Sequence, residues 1–370
     1  MIQELKIGIC GAGEFANFAA KSFLKLNGIT IFAVTDINKI AATSMATQFN
    51  AKVFSTYDEM LTDKEIDLIY IATPPFLHYI QSKAALHAGK HVICEKPAAL
   101  KTVEAEELAI FSKQNSLLYV VILMQRYKPL YSIVDEIVKE NMLGEFLHGF
   151  FENYASDEAL HEKHWFWDNE KSGGIFIEHG VHFFDMFSGW LGEGELINAI
   201  QLSRPNSSEK IIDRVQATVN YKGGFVNLYH GFNQPKILDR QELRLQFEKG
   251  DITLYEWIPV KMKINALLSN IQIDELKNIL GNATFIKNQH QGNKKGRGNF
   301  KDIVYDEFVT IEFGDISEKM IRYEELLIAM ITDQWAWIKD KNHRRVIDEN
   351  NAVTSLRIAE KATITASPIS

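Results

Sequence analysis

The sequence predicts an α/β domain on a parallel sheet, joined to an α+β domain on an open, mostly antiparallel sheet with helices on one face. Three observations carry this. Continuous apolar runs alternate with helical stretches through the first 125 residues, as strands covered by helices on both faces require. After about Gln125 the rhythm changes to strand after strand, with glycine turns between them. Finally, 370 residues exceed what one hydrophobic core ordinarily holds. The expected division is 1–125 and 126–370.

In the first part, strands are expected at Leu5–Cys10, Ile29–Thr35, Asp67–Ala72, His91–Cys94 and Leu117–Leu123. Helices are expected between them at Glu14–Leu26, Asn38–Gln48, Phe76–Ala88 and Val103–Gln114, with Gly89 placed to end the third. In the second part a helix at Pro129–Asn141 precedes strands at Phe146–Ala155, Leu196–Ser203, Val215–Tyr221, Phe225–Phe232, Glu242–Phe247, Ile252–Trp257 and Tyr305–Phe313. Lys222-Gly223-Gly224 and Lys249-Gly250-Asp251 read as hairpin turns. Helices near Met320–Asp340 and Ala352–Ala366 close the chain. The basic, glycine-rich stretch Asn288–Phe300 is expected to be a mobile surface loop.

Composition is that of an ordinary globular chain, 46% hydrophobic and 24% charged. A net charge of −8 speaks against nucleic acid or an anionic membrane as partner. The N-terminus lacks the pattern of a secretory signal, and no apolar run reaches the roughly 20 residues that span a bilayer. The two cysteines, Cys10 and Cys94, each end an apolar strand, so they read as small buried residues. A cytoplasmic location is expected.

The first strand runs into Gly11-Ala12-Gly13-Glu14-Phe15-Ala16, a G-x-G-x-x-A turn opening a helix. Gly11 makes the tight turn, Gly13 admits a pyrophosphate to the backbone, and Ala16 permits close helix–strand packing. The N-terminus of that helix, where Glu14 and Phe15 stand, offers free N–H groups to phosphates. The second strand ends at Asp36, where a carboxylate can bind an adenosine ribose and repel a 2′-phosphate. A Rossmann domain that binds NAD, with NADP less favoured, follows from this pattern.

"GICGAGEFA", "IATPPFLH" (Ile71–His78), "ICEKP" and "SGGIFIEHGVHFFD" (Ser172–Asp185), at these separations, resemble the Gfo/Idh/MocA oxidoreductases over most of the chain. The resemblance implies a Rossmann domain followed by a mostly antiparallel sheet domain. It also implies oligomers, a homodimer or homotetramer, formed through that second sheet, and NAD(P) chemistry on sugars and polyols. Residue by residue, Lys96 matches the family's E-K-P lysine. Glu178 and His182 match an aspartate and histidine four apart, with glutamate in the aspartate's place, and Asp185 matches a further acid. Thr73, Pro74, His78, Glu95 and Lys96 itself fall in motifs that lie against the nucleotide. Arg126 matches an arginine near the substrate. The sequence departs at Ile175, where the family has a third glycine, and in Trp165-Phe166-Trp167-Asp168, which lacks the usual arginine.

Taking a hydride from a secondary alcohol needs a base for its proton and a charge for the developing oxyanion. A histidine side chain ordinarily titrates near neutrality, so His182 can move the proton; Lys96 can donate to the same oxygen. Glu178, one helical turn before His182, can fix its tautomer. The substrate is then expected to meet Lys96, Arg126, Trp165, Glu178, His182 and Asp185, with Trp165 as an aromatic wall for a sugar face. No metal is expected. Two other readings stand beside this one. The first is redox-neutral elimination or glycoside cleavage through transient oxidation of a sugar; the second is a non-catalytic nucleotide-binding regulator.

Overall fold

A computed structural model describes residues 4–205, 207, 210–288, 294–315 and 319–369. Its first sheet comprises β1 (Leu5–Cys10), β2 (Ile29–Thr35), β3 (Lys52–Val53), β4 (Leu68–Ile71), β5 (His91–Cys94) and β6 (Tyr119–Val121). These lie in the order β3-β2-β1-β4-β5-β6, and every pairing is parallel. The central strands β4 and β5 are buried along almost their whole length, which is why they read as unbroken apolar runs. No apolar run marks β3, whose two residues are both exposed.

Helices α1 (Glu14–Phe23), α2 (Lys39–Phe49), α3 (Tyr57–Thr62), α4 (His78–His87) and α5 (Thr102–Gln114) connect these strands. Their starts have visible chemistry. Asn38 accepts from the amides of Ile40 and Ala41 to cap α2, and Thr56 accepts from Glu59 N to cap α3. Gly89, just past α4, has φ +75°, the left-handed conformation that glycine adopts at little cost.

The compact unit around this sheet is not continuous in sequence. It runs through Tyr127, then takes in Trp165–Asp185 and Tyr323–Thr363. The Ser172–Asp185 motif and most of the two final helices therefore belong with the parallel sheet, whereas a single division near residue 125 places them in the second domain. A cut in sequence cannot express a chain that leaves a core and returns to it.

The second unit, Lys128–His164, Met186–Arg322 and the chain from Ile364 on, holds α6 (Pro129–Lys139) and a ten-stranded sheet. Its strands are β7 (Phe146–Ser156), β8 (Glu195–Ser203), β9 (Ile212–Tyr221), β10 (Gly224–Gln234), β11 (Arg240–Phe247), β12 (Gly250–Tyr255), β13 (Lys261–Leu268), β14 (Thr284–Lys287), β17 (Glu307–Gly314) and β18 (Ser367–Pro368). The order is β14-β17-β13-β12-β11-β7-β10-β9-β8-β18. Only β7–β10 and β8–β18 pair in parallel, so the sheet is mostly antiparallel. Both glycine turns make the expected hairpins, β9–β10 and β11–β12. Burial alternates strictly along β9, β11 and β13, leaving one face apolar and covered and the other partly exposed. The alternation in "KMKINALL" is the period-two signal that underlies β13. Residues 289–293 of the basic stretch lie outside the described residues. Beyond them, β15 (Lys295–Gly298) and β16 (Lys301–Val304) pair as a hairpin rather than a loop.

The remaining helices are α7 (Asn169–Ser172), α8 (Val181–Leu191), α9 (Asn270–Leu280), α10 (Lys319–Lys339) and α11 (Glu349–Thr365). Among the described residues no helix is long and apolar enough to cross a membrane.

Candidate active site

The turn after β1 shows why glycine stands at position 11. Its φ is +98°, and a Cβ there would lie 2.6 Å from the carbonyl oxygen of Ala72. At Gly13 the space is open, with no atom within 4 Å of a Cβ position. Gly13 is the N-cap of α1 and supplies no side-chain cap, so the first N–H groups of the helix are left for a ligand. Asp36 braces this turn: Oδ2 accepts from Ala12 N at 2.6 Å, and Oδ1 accepts from Asn38 N at 2.6 Å.

A cavity of about 500 Å³ opens here. Gly11, Gly13, Asp36, Thr73 and Pro74 line it, together with Ile37, Ser55, Thr56, Tyr57, Leu77 and Gln81. The cavity, the open helix end and a carboxylate at the end of β2 fit the pyrophosphate and ribose of a dinucleotide. The Ser55–Tyr57 wall was missed in the sequence, although Thr56-Tyr57-Asp58-Glu59 carries the S/T-x-x-E signature of a helix start. Gln81 binds the wall together: Thr73 Oγ1 donates to its Oε1 at 2.5 Å, and Tyr57 OH donates to its carbonyl at 2.8 Å. Cys10 also lines the cavity, but burial pushes its thiol up to about 12, so it is an inert packing residue.

Five residues expected on the nucleotide are not part of this lining. Glu14 is exposed, and Phe15 packs against Phe18 and Tyr323, with ring centroids 6.2 and 5.8 Å away. For these two, only the backbone is placed to serve the phosphates. His78 is buried, with Nδ1 2.6 Å from the carbonyl of Pro97 and Nε2 2.7 Å from that of Thr73. Glu95 accepts from the buried Tyr70 hydroxyl at 2.8 Å. Burial pushes its carboxyl up to about 7, against the pull of Tyr70 and Lys96. The fifth is Lys96.

Lys96 reaches across to the motif near residue 180. Its Nζ donates to the Glu178 carbonyl at 2.9 Å and to Glu178 Oε1, and both side chains are mostly covered, at 20% and 13% exposure. Glu178, expected to orient His182, is therefore engaged by Lys96. The local helix accounts for the difference. Phe176–Gly180 forms a π-helical turn before α8 begins at Val181, so the spacing of four does not map onto an ordinary α-helical face. The turn is entered through Gly173 and Gly174, at φ +78° and +85°. A Cβ on Gly173 would strike Ile177 at 2.7 Å. Ile175, at the family's third glycine, is buried. His182 follows on α8, 5% exposed. His179 packs on Phe183; burial and the charge of Lys96 push its imidazole down to about 3, which leaves it neutral.

Arg126 and Asp185 were expected near substrate. They hold each other: Arg126 Nε and Nη2 donate to the two carboxylate oxygens at 2.9 and 2.8 Å, and Nη2 also donates to the Asp185 carbonyl at 3.0 Å. Asn351 donates to the same carboxylate at 3.1 Å. At 1% exposure, Asp185 braces the fold rather than presenting an acid. Trp165 is half-buried, while Phe166 is buried edge-on against Trp167. Among the described residues no group of three histidines, cysteines or acids is arranged to hold a metal ion.

Comparison with known proteins agrees with this architecture. Residues 5–123 match an oxidoreductase family with an NAD-binding Rossmann fold, and residues 131–253 match the GFO/IDH/MocA C-terminal domain. Glucose-6-phosphate 3-dehydrogenase of Bacillus subtilis is 28% identical over 219 residues, 58% of this chain and 61% of that protein. Oxidoreductase P35 of Formosa agariphila is 26% identical over 68% of this chain and 80% of its own. The chain spans about half the length of the curated relatives it matches first. Among solved structures, levoglucosan dehydrogenase with NADH and L-sorbose superposes with a TM-score of 0.78 at 17% identity, covering 98% of this chain and 97% of that one. The ketoreductase KijD10 of Actinomadura kijaniata with NADP gives 0.74 at 14% identity, covering 99% of each. At such identities the likeness is one of fold.

Proposed function

Because the chain belongs to the Gfo/Idh/MocA oxidoreductase family, with its NAD-binding Rossmann domain, we propose that it is an NAD-dependent dehydrogenase or reductase. The reaction moves a hydride between nicotinamide and a hydroxyl-bearing carbon of a sugar, polyol or sugar derivative. Bound NAD supplies the hydride acceptor or donor. The Gly11–Gly13 turn and the start of α1 hold the pyrophosphate, and Asp36 holds the ribose and disfavours a 2′-phosphate.

Lys96 donates to the substrate oxygen and steadies the charge that develops there. Glu178 holds the ammonium in place, and His182 takes the hydroxyl proton and returns it in the reverse direction. The observation that carries this reading is the Lys96–Glu178 pair, a mostly covered ammonium within the unit that also carries the nucleotide cavity. The sugar class draws support from the relatives whose names specify glucose 6-phosphate and levoglucosan. Association of copies through the partly exposed face of the ten-stranded sheet completes the reading.

The test is an NAD-dependent screen of sugars, polyols and glycosides that follows NADH absorbance and products together. NADH formation with one of these classes is the expected result. Product formation without net NADH would replace it with redox-neutral chemistry. Silence in both channels across the panel would count against an enzyme of this class.

A further inference from the structure

The geometry points to His78 as a positioning residue that couples the nucleotide cavity to Lys96, an inference that rests on the proposed role of Lys96. Three observations support it. His78 opens α4 at 1% exposure, and each ring nitrogen faces a backbone carbonyl oxygen within hydrogen-bond distance. One carbonyl belongs to Thr73, which lines the cavity. The other belongs to Pro97, the residue bonded to Lys96. The imidazole is thus a cross-tie between two loops that carry different parts of the site.

Carbonyls only accept, and a neutral imidazole has one N–H, so making both bonds takes the doubly protonated ring. Burial pushes the ring below its ordinary value; the two carbonyls pull the other way, the charge of Lys96 opposes the second proton, and the Glu178 carboxylate favours it. The tie therefore has a single form and a double form, and acid favours the double one. Thr73 is held from its other side by Gln81. In the double form, a displacement of the cavity wall at Thr73 is passed through the ring to the Pro97 carbonyl, and from there to the root of Lys96.

Two substitutions cut the tie at different ends. His78→Asn keeps an amide nitrogen near the position of Nδ1, and so the bond to Pro97; His78→Gln keeps one near Nε2, and so the bond to Thr73. NAD affinity is measured by titration without substrate, and kcat with a substrate from the screen. His78→Asn should weaken NAD binding by about 3- to 10-fold with a smaller change in kcat, and His78→Gln should lower kcat by about 3- to 10-fold with a smaller change in affinity. Equal losses of affinity and kcat in both variants, or no loss in either, overturn the coupling.

On the unmutated protein, the ¹⁵N imidazole spectrum should show a histidine with one exchange-protected N–H at neutral pH and a second on acidification. Absence of any exchange-protected ring N–H overturns the tie even if neither variant folds. Full turnover in Lys96→Ala would remove the assumed role of Lys96, yet the affinity loss in His78→Asn would still report the Thr73 end.

Discussion

Lys96 and Glu178 stand 82 positions apart in the chain, yet Nζ of the first donates to both the side chain and the backbone carbonyl of the second. The pair joins the end of β5 to the π-helical turn before α8, two segments that carry the proposed chemistry. Lys96→Ala should keep NAD binding and lose turnover by at least about a hundredfold. Glu178→Gln should lose less, and the double variant should cost less than the sum, since the two residues act as a unit. Steady-state rates on all four proteins close the cycle; strictly additive losses would mean the pair is structural only.

Asp36 accepts two backbone amides at 2.6 Å each, so its removal should act on the loop as well as on the ribose. Asp36→Ala is expected to weaken NAD binding about tenfold or more while narrowing the preference for NAD over NADP. Fluorescence titration with both nucleotides measures this. Tighter binding of NADP than NAD to the unmutated protein would sink the assignment of cofactor preference.

The Arg126–Asp185 pair, its carboxylate buried and its guanidinium mostly covered, should matter for stability. Removing one partner of a buried ion pair leaves an uncompensated charge, at a cost of about 3–5 kcal/mol. Arg126→Met should therefore lower the denaturant midpoint sharply, and Arg126→Met with Asp185→Asn should recover part of the loss. A variant as stable as the parent but with raised KM would return Arg126 to the role of a substrate contact.

Glu95 gives a pH dependence with a definite sign. Its carboxyl rises from 4.5 to about 7 on folding, so between these values the folded state binds more protons than the unfolded one. Stability from this group is present below about pH 4.5 and declines as pH rises towards 7. His179 acts oppositely: its imidazole falls from 6.5 to about 3, so its contribution is present above 6.5 and is lost as pH falls. Glu95→Gln should remove the first trend alone. The difference in unfolding free energy between Glu95→Gln and the parent should thus grow in favour of the variant from pH 4.5 to 7. A difference that stays flat across this window would show that Glu95 is not held in its protonated form.

What the sequence determined by itself was local. The βαβ alternation, the glycine turn at Gly11–Gly13, Asp36 at the end of β2 and the glycine hairpins all follow from short apolar periods and from conformations that glycine favours. The position of Lys96 after β5 was legible for the same reason. Partners were not legible. Glu178 stands one nominal turn from His182 but is held by Lys96, because a π-turn and a distant strand end decide where its carboxylate points. His78 and Asp185 sit in motifs that suggest ligand contact, yet the first spans two carbonyls and the second is taken up by Arg126, 59 positions earlier. Burial sets these outcomes: a polar group removed from water must find a partner wherever the fold brings one, and that partner is a property of the tertiary structure alone.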